Sequence, residues 1–211
     1  MEKQYRNIGF LFLLFIPLTF FGFYKTYFIL TPEFQGTVDI YDHVHGATAS
    51  VWLALLIAQP LLIRFGNFRL HRLLGRISYV VFPFLILSFI PQAIKSYESG
   101  GFPYIVHFTF DVILLLIFYT LAIRNIKDVT IHMRYMIAIT LIFIGPTLGR
   151  ILYHWFDLGQ ITGNGITYGG VNFLLVGLIF WDKANNRNYQ PFVVALVCFA
   201  VYMIALFIAF W

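Results

Sequence analysis

The chain has 211 residues, of which 60% are hydrophobic and only 11% charged, against about 25% charged in soluble proteins. That composition excludes an ordinary soluble domain and predicts an all-α integral membrane protein. A formal net charge of +5 suggests nucleic-acid binding only if the basic residues form a patch, and here they fall in short loops between apolar runs, which is a topology signal and a contact for anionic lipid.

A spanning helix needs about 20 mostly apolar residues. Seven such runs occur in chain order: Ile8 to Leu30, Val44 to Ile63, Ile77 to Ile94, Tyr104 to Ile123, Tyr135 to Trp155, Tyr168 to Trp181 and Phe192 to Trp211. The first follows MEKQYRN and reads as a retained helix, being longer than a signal-peptide core and lacking a small-residue cleavage site. The sixth is short and is expected to begin a few residues earlier, in the Gly-rich stretch. Pro17, Pro60, Pro83, Pro91 and Pro146 lie in or at the ends of these runs and predict kinks. The expectation is one seven-helix transmembrane domain over residues 1–211, with an antiparallel bundle core from helices two to five.

Of the 14 Lys and Arg residues, Lys3, Arg6, Arg64, Arg69, Arg72, Arg76, Arg124, Lys127, Arg134, Lys183 and Arg187 fall on one face, and Lys25, Lys95 and Arg150 on the other. Positive juxtamembrane residues favour the cytoplasm, so the N-terminus is expected inside and the C-terminus outside, in a bacterial inner membrane. Cys198 stands alone, so neither a disulfide framework nor a thiolate metal site is available.

Topology sorts the six histidines. His43, His45, His107 and His154 fall on the outer side, His71 and His132 on the inner. His45, His107 and His154 open or close three different helices at similar depth. Asp111 follows His107 by four residues and Arg150 precedes His154 by four, so each pair shares a helix face. An Asp or Arg in the bilayer costs about 2.5 to 3.5 kcal/mol on insertion scales, so neither should face lipid. The plainest expectation is an Asp111–Arg150 ion pair pinning two helices under ordinary interfacial histidines.

Two functional readings stand beside it. In one, His45, His107 and His154 hold a zinc-like ion with an open position, and Asp111 orients a ligand or takes a proton, as in a zinc-dependent hydrolase acting on a lipid or small amide. Asp111 and Arg150 are then the catalytic candidates. In the other, His45 and His107 ligate a b-type haem, with Gly46, Ala47 and Ala49 making room for the macrocycle and a membrane quinol as electron donor. A transporter using the outer His and Asp as a proton relay, or a non-catalytic scaffold, are further classes. A retinal protein is excluded by the absence of lysine in helix seven, and H-E-x-x-H and G-x-S-x-G do not occur.

The inner histidines, His71 and His132, open helices three and five, the other diagonal of a four-helix core. In that layout the chain resembles the transmembrane b-type cytochromes that pass electrons from ascorbate across membranes. The stretch LHRLLGRISYVV, Leu70 to Val81, is similar to that family's His-x-x-x-Gly helix start, with His71 and Gly75 in the matching places. The resemblance implies one haem near each face, held by His45 with His107 and by His71 with His132. HRLLGR together with the later HMRYMI also resembles an uncharacterised family of bacterial membrane proteins, which implies no activity.

Smaller features complete the expectations. Gly145 and Gly149 form G-x-x-x-G, a face for close helix packing. GQITGNG, Gly159 to Gly165, reads as an external turn and a lid over the histidines. Tyr and Trp near helix ends read as interfacial belts.

Overall fold

The computed structural model describes residues 2, 5–34 and 38–211. Its elements are α1 (Ile8–Phe12), α2 (Phe15–Tyr24), a 3-10 turn at Phe28–Leu30, α3 (Ile40–Arg64), α4 (Phe68–Gly100), α5 (Phe102–Arg124), α6 (Val129–Ile142), α7 (Ile144–Phe156), α8 (Gln160–Ala184) and α9 (Gln190–Phe210), with no strand among the described residues. Among the described residues six helical stretches are long and apolar enough to cross a membrane, α6 and α7 together counting as one. Five of them contain an expected span whole, and α9 contains the last one except for Trp211. The first span differs: it is interrupted after Phe12 and its helix ends at Tyr24, leaving the shorter apolar stretch Ile8–Tyr24. Of the residues used for orientation, Lys3 lies outside the described residues.

The chain divides into two compact units, residues 1–99 and 100–211. In the first, α1 lies against α3 so closely that a Cβ on Gly9 would come within 2.8 Å of the Leu61 side chain. The polar opening of α3 has a local cause. Asp39 caps the helix, accepting from the Tyr41 and Asp42 amides at 2.8 and 3.0 Å, while Asp42 accepts from the Asp39 amide at 3.0 Å. This reciprocal box satisfies orphan amide donors at a helix start. Lys95 of α4 pairs with Asp42 and, at 3.5 Å, with Asp39. Deeper, Trp52 is 1% exposed and packs on Phe82 at 5.2 Å between ring centroids.

In the second unit the connectors are short, and neighbours in sequence pack side by side, α5 on α6, α7 on α8 and α8 on α9. Helix α9 also touches α5 and α6. Its buried residues Phe192, Ala195, Phe199, Tyr202 and Leu206 follow alternating three- and four-residue steps, one continuous helix face. Near the start of the unit Gly101 caps α5, and its φ of 73° is a left-handed conformation that suits glycine. The break between α6 and α7 at Phe143 lies three residues before Pro146, whose missing N–H leaves the Ile142 carbonyl without its helical donor. Helices α3 and α4 run through Pro60, Pro83 and Pro91 without a break.

Asp128 caps α6, accepting from the Thr130 hydroxyl at 2.6 Å and from the Thr130 and Ile131 amides at 3.0 and 3.2 Å. Those bonds, the Thr130 hydroxyl first, hold its carboxyl below the ordinary value. A depressed carboxyl stabilises the fold above its unfolded-state pKa, and the benefit is lost as pH falls through the lower folded value. Hydrogen exchange at Ile131, corrected for intrinsic rates, should therefore quicken below about pH 4, and Asp128→Ala should remove that pH dependence.

Candidate functional site

A buried polar constellation lies inside the second unit, on α5, α8 and α9. His107 and Asp111 stand one turn apart on α5, and Asp111 is buried. Tyr202 of α9, fully buried, reaches both: its hydroxyl lies 3.2 Å from His107 Nδ1 and 3.2 Å from Asp111 Oδ1. Tyr168 of α8, 2% exposed, donates to the Tyr202 oxygen at 2.8 Å. The Tyr202 ring is held by Phe110, stacked at 4.9 Å and 7°. Four protonatable groups thus form one hydrogen-bonded chain within a helical unit of apolar packing. Such groups are costly to bury unless mutually satisfied, and high-stakes once they are.

One proton assignment satisfies the chain. Tyr202 O–H, which also lies 3.1 Å from the His107 backbone carbonyl, donates to the Asp111 carboxylate at 3.2 Å, and its oxygen accepts from Tyr168 O–H and from His107 Nδ1–H. The His107 Nε2 then carries a lone pair, for which no partner is found among the described residues. Arg150 of α7 lies near enough for its charge to act on both His107 and Asp111, and it donates to the Pro146 carbonyl at 3.0 Å.

Small residues make room for this arrangement. A Cβ on Gly145 would sit 2.6 Å from the Tyr168 hydroxyl, whereas one on Gly149 would meet nothing within 4 Å. The G-x-x-x-G face is therefore a close contact at its first glycine only. Gly145→Ala should cost about 1 to 3 kcal/mol through overpacking and disturb the Tyr168–Tyr202 bond. Gly149→Ala should be neutral or slightly stabilising, since Ala is the better helix former. Thermal unfolding of the two variants in detergent compares them directly.

GQITGNG is not an external turn. Gly159 is the N-cap of α8 and residues from Gln160 are helical, with Gly163 and Asn164 buried. Helical spacing places Asn164, Thr167, Tyr168 and Val171 on one inward face, all buried. Asn164 Nδ2 and Thr167 Oγ1 have no hydrogen-bond partner among the described residues, leaving two polar groups beside the tyrosine chain for water or a ligand.

The other expected site residues have separate settings. In the first unit, His45 Nδ1 is 2.9 Å from Ser88 Oγ, to which Thr48 donates at 3.2 Å, and its ring lies edge-on to Phe89 at 4.8 Å. His43 Nδ1 meets the Tyr27 hydroxyl at 2.6 Å. The backbone carbonyl of His71 accepts from Gln59 at 3.2 Å. In the second unit, His132 Nδ1–H donates to the Ala122 carbonyl at 2.9 Å. His154 packs edge-on against Tyr153 at 4.9 Å. Among the described residues no three His, Cys, Asp or Glu side chains are grouped as ligands for one metal ion.

Arg134 departs from its expected place as a surface residue of a basic loop. It is 0% exposed, and its Nε donates to Asp182 Oδ2 of α8, also 0% exposed, at 2.7 Å. Its Nη1 donates to the Thr130 carbonyl at 2.9 Å, and the guanidinium lies 5.9 Å from the Phe192 ring centre. A partner 48 residues away draws the arginine inward. Sequence reasoning also missed Tyr168, which at the start of an expected span reads as an interfacial aromatic, and Tyr202, which was given no role. The available signal was position: Tyr202 sits midway along an otherwise apolar helix, where a phenol needs a partner.

Fold and site together define a class: a protein that is helical throughout its described elements, with six apolar helical stretches among the described residues long enough to span a membrane and a buried His–Tyr–Asp hydrogen-bond chain in its second unit. Comparison with protein-family models, characterised proteins and solved structures finds no match.

Proposed function

We propose that this is a multi-pass protein of a bacterial cytoplasmic membrane, N-terminus inside, whose second unit carries protons between His107 and Asp111. The observation that carries the reading is the Tyr202 hydroxyl, within hydrogen-bond distance of both groups. A proton arriving at His107 Nε2 releases the one on Nδ1 to Tyr202, which passes its own to Asp111. The step ends with a neutral imidazole protonated at Nε2, an intact phenol and a protonated carboxyl. Protons balance, and one negative charge is neutralised. Arg150 places a fixed positive charge near both ends of the path. The reading belongs with transporters and proton relays, and orientation rests on the basic loops.

Infrared difference spectroscopy of the purified protein during a pH titration tests it. A carboxyl stretching band should grow in, vanish in Asp111→Asn, and titrate differently in Tyr202→Phe. An Asp111→Asn spectrum identical to wild type would sink the proposal.

A second reading is supported by how two imidazoles are held. Nδ1 of His107 and of His132 is engaged by Tyr202 and by the Ala122 carbonyl, the anchoring that metal-ligating histidines use to present Nε2. Under it the protein is a b-type haem electron carrier drawing on membrane quinol, or, with zinc in place of haem, a membrane hydrolase. Haem would supply one-electron chemistry, and the chain's own part is to orient these rings. Purification after expression with haem supply should then show a Soret band lost in His107→Ala, or about one zinc per chain by metal analysis. Absence of both leaves the proton relay, or a scaffold.

A further inference from the structure

The start of α4, in the first unit, carries a run of basic residues with no acidic residue close to it in sequence. Arg69, Arg72 and Arg76 are all exposed. At 3.6 residues per turn they fall within about 60° of one another over two turns, so like charges stand side by side. No Asp or Glu occurs between Asp42 and Glu98, and none of the three arginines forms an ion pair among the described residues. Further along the same side of the helix the surface turns apolar: Val80, Phe84 and Leu87 are 60%, 60% and 58% exposed. Basic groups at one end of the stripe give way to bare hydrocarbon, the polarity profile of a phospholipid running from headgroup to acyl chain.

We propose that this stripe is a binding site for an anionic phospholipid, the phosphate held by Arg69, Arg72 and Arg76 and one acyl chain lying along Val80, Phe84 and Leu87. Guanidinium forks suit phosphate oxygens in a way that lysine does not. An anionic headgroup relieves the repulsion among the three arginines, while the apolar continuation favours a lipid over a free anion. The site rests on the multi-pass membrane reading and is independent of the proton relay.

Native mass spectrometry of the full chain in detergent, titrated with phosphatidylglycerol or phosphatidylcholine, tests the assignment. Wild type should retain phosphatidylglycerol in preference to phosphatidylcholine. The triple variant Arg69→Gln/Arg72→Gln/Arg76→Gln should bind it about a hundredfold more weakly, and the control Lys127→Gln/Lys183→Gln should not change. Should the triple variant fail to fold, each single substitution is expected to weaken binding about fivefold. Equal binding of the two lipids, or undiminished binding by the arginine variants, overturns the proposal. Displacement of the lipid by inorganic phosphate at matched concentration overturns it too, assigning the arginines to a free anion. A chain that stays dispersed without detergent and takes up neither lipid would instead defeat the membrane reading beneath it.

Discussion

Replacing Arg134 with Ala should destabilise the protein by about 3 to 5 kcal/mol, the cost of leaving a buried carboxylate without its partner. Both side chains of the Arg134–Asp182 pair are 0% exposed and joined at 2.7 Å, so no solvent shares the load when one is removed. Asp182→Ala should cost about as much, because it takes the carboxylate away from a buried guanidinium whose other contacts include the neutral Thr130 carbonyl and the Phe192 ring. The double substitution Arg134→Met/Asp182→Leu removes both charges and fills similar volume. It should recover most of the loss, since buried pairs seldom outperform well-packed apolar side chains. Thermal unfolding in detergent distinguishes the outcomes. Single variants that melt with wild type would mean that water reaches the pair.

Tyr202→Phe should be the substitution that most separates function from fold. The phenol meets Tyr168, His107 and Asp111 at once, while its ring stays stacked on Phe110, so packing survives when the hydroxyl goes. Each buried polar group left without a partner costs about 1 to 3 kcal/mol, so stability should fall. Communication between His107 and Asp111 should fail, because the Tyr202 hydroxyl is the group that lies within hydrogen-bond distance of both side chains. Tyr168→Phe removes only the terminal 2.8 Å bond and should be milder on both counts. The carboxyl titration read by infrared spectroscopy should be altered as strongly in Tyr202→Phe as Asp111→Asn alters it by removal, and barely in Tyr168→Phe. Equal effects of the two tyrosines would place the proton path elsewhere.

Helices were legible because apolar length is a local property: the second to seventh spans each coincide with a helical stretch, the last overrunning it by Trp211 alone. The first span was read too long because composition does not register where backbone bonds cease, and α1 and α2 break inside a uniformly apolar run. GQITGNG was mistaken for a turn because glycine weakens helix propensity, while burial of Gly163, Asn164, Thr167 and Tyr168 against neighbouring helices outweighs it. The i, i+4 pairing of His107 with Asp111 was visible in the spacing. Its completion by Tyr202, 95 residues from His107, was not.

By itself, then, the order of residues determined that the chain is helical and apolar enough to cross a membrane repeatedly, and that His107 and Asp111 share one face of one helix. Those are consequences of hydrophobic length and the 3.6-residue repeat, which act over a few turns. Only the tertiary structure decided which aromatics carry polar work and which arginine is buried. Tyr202 and Arg134 take their roles from partners on other helices, and no local rule separates a phenol bonded to a carboxylate from one at a lipid boundary.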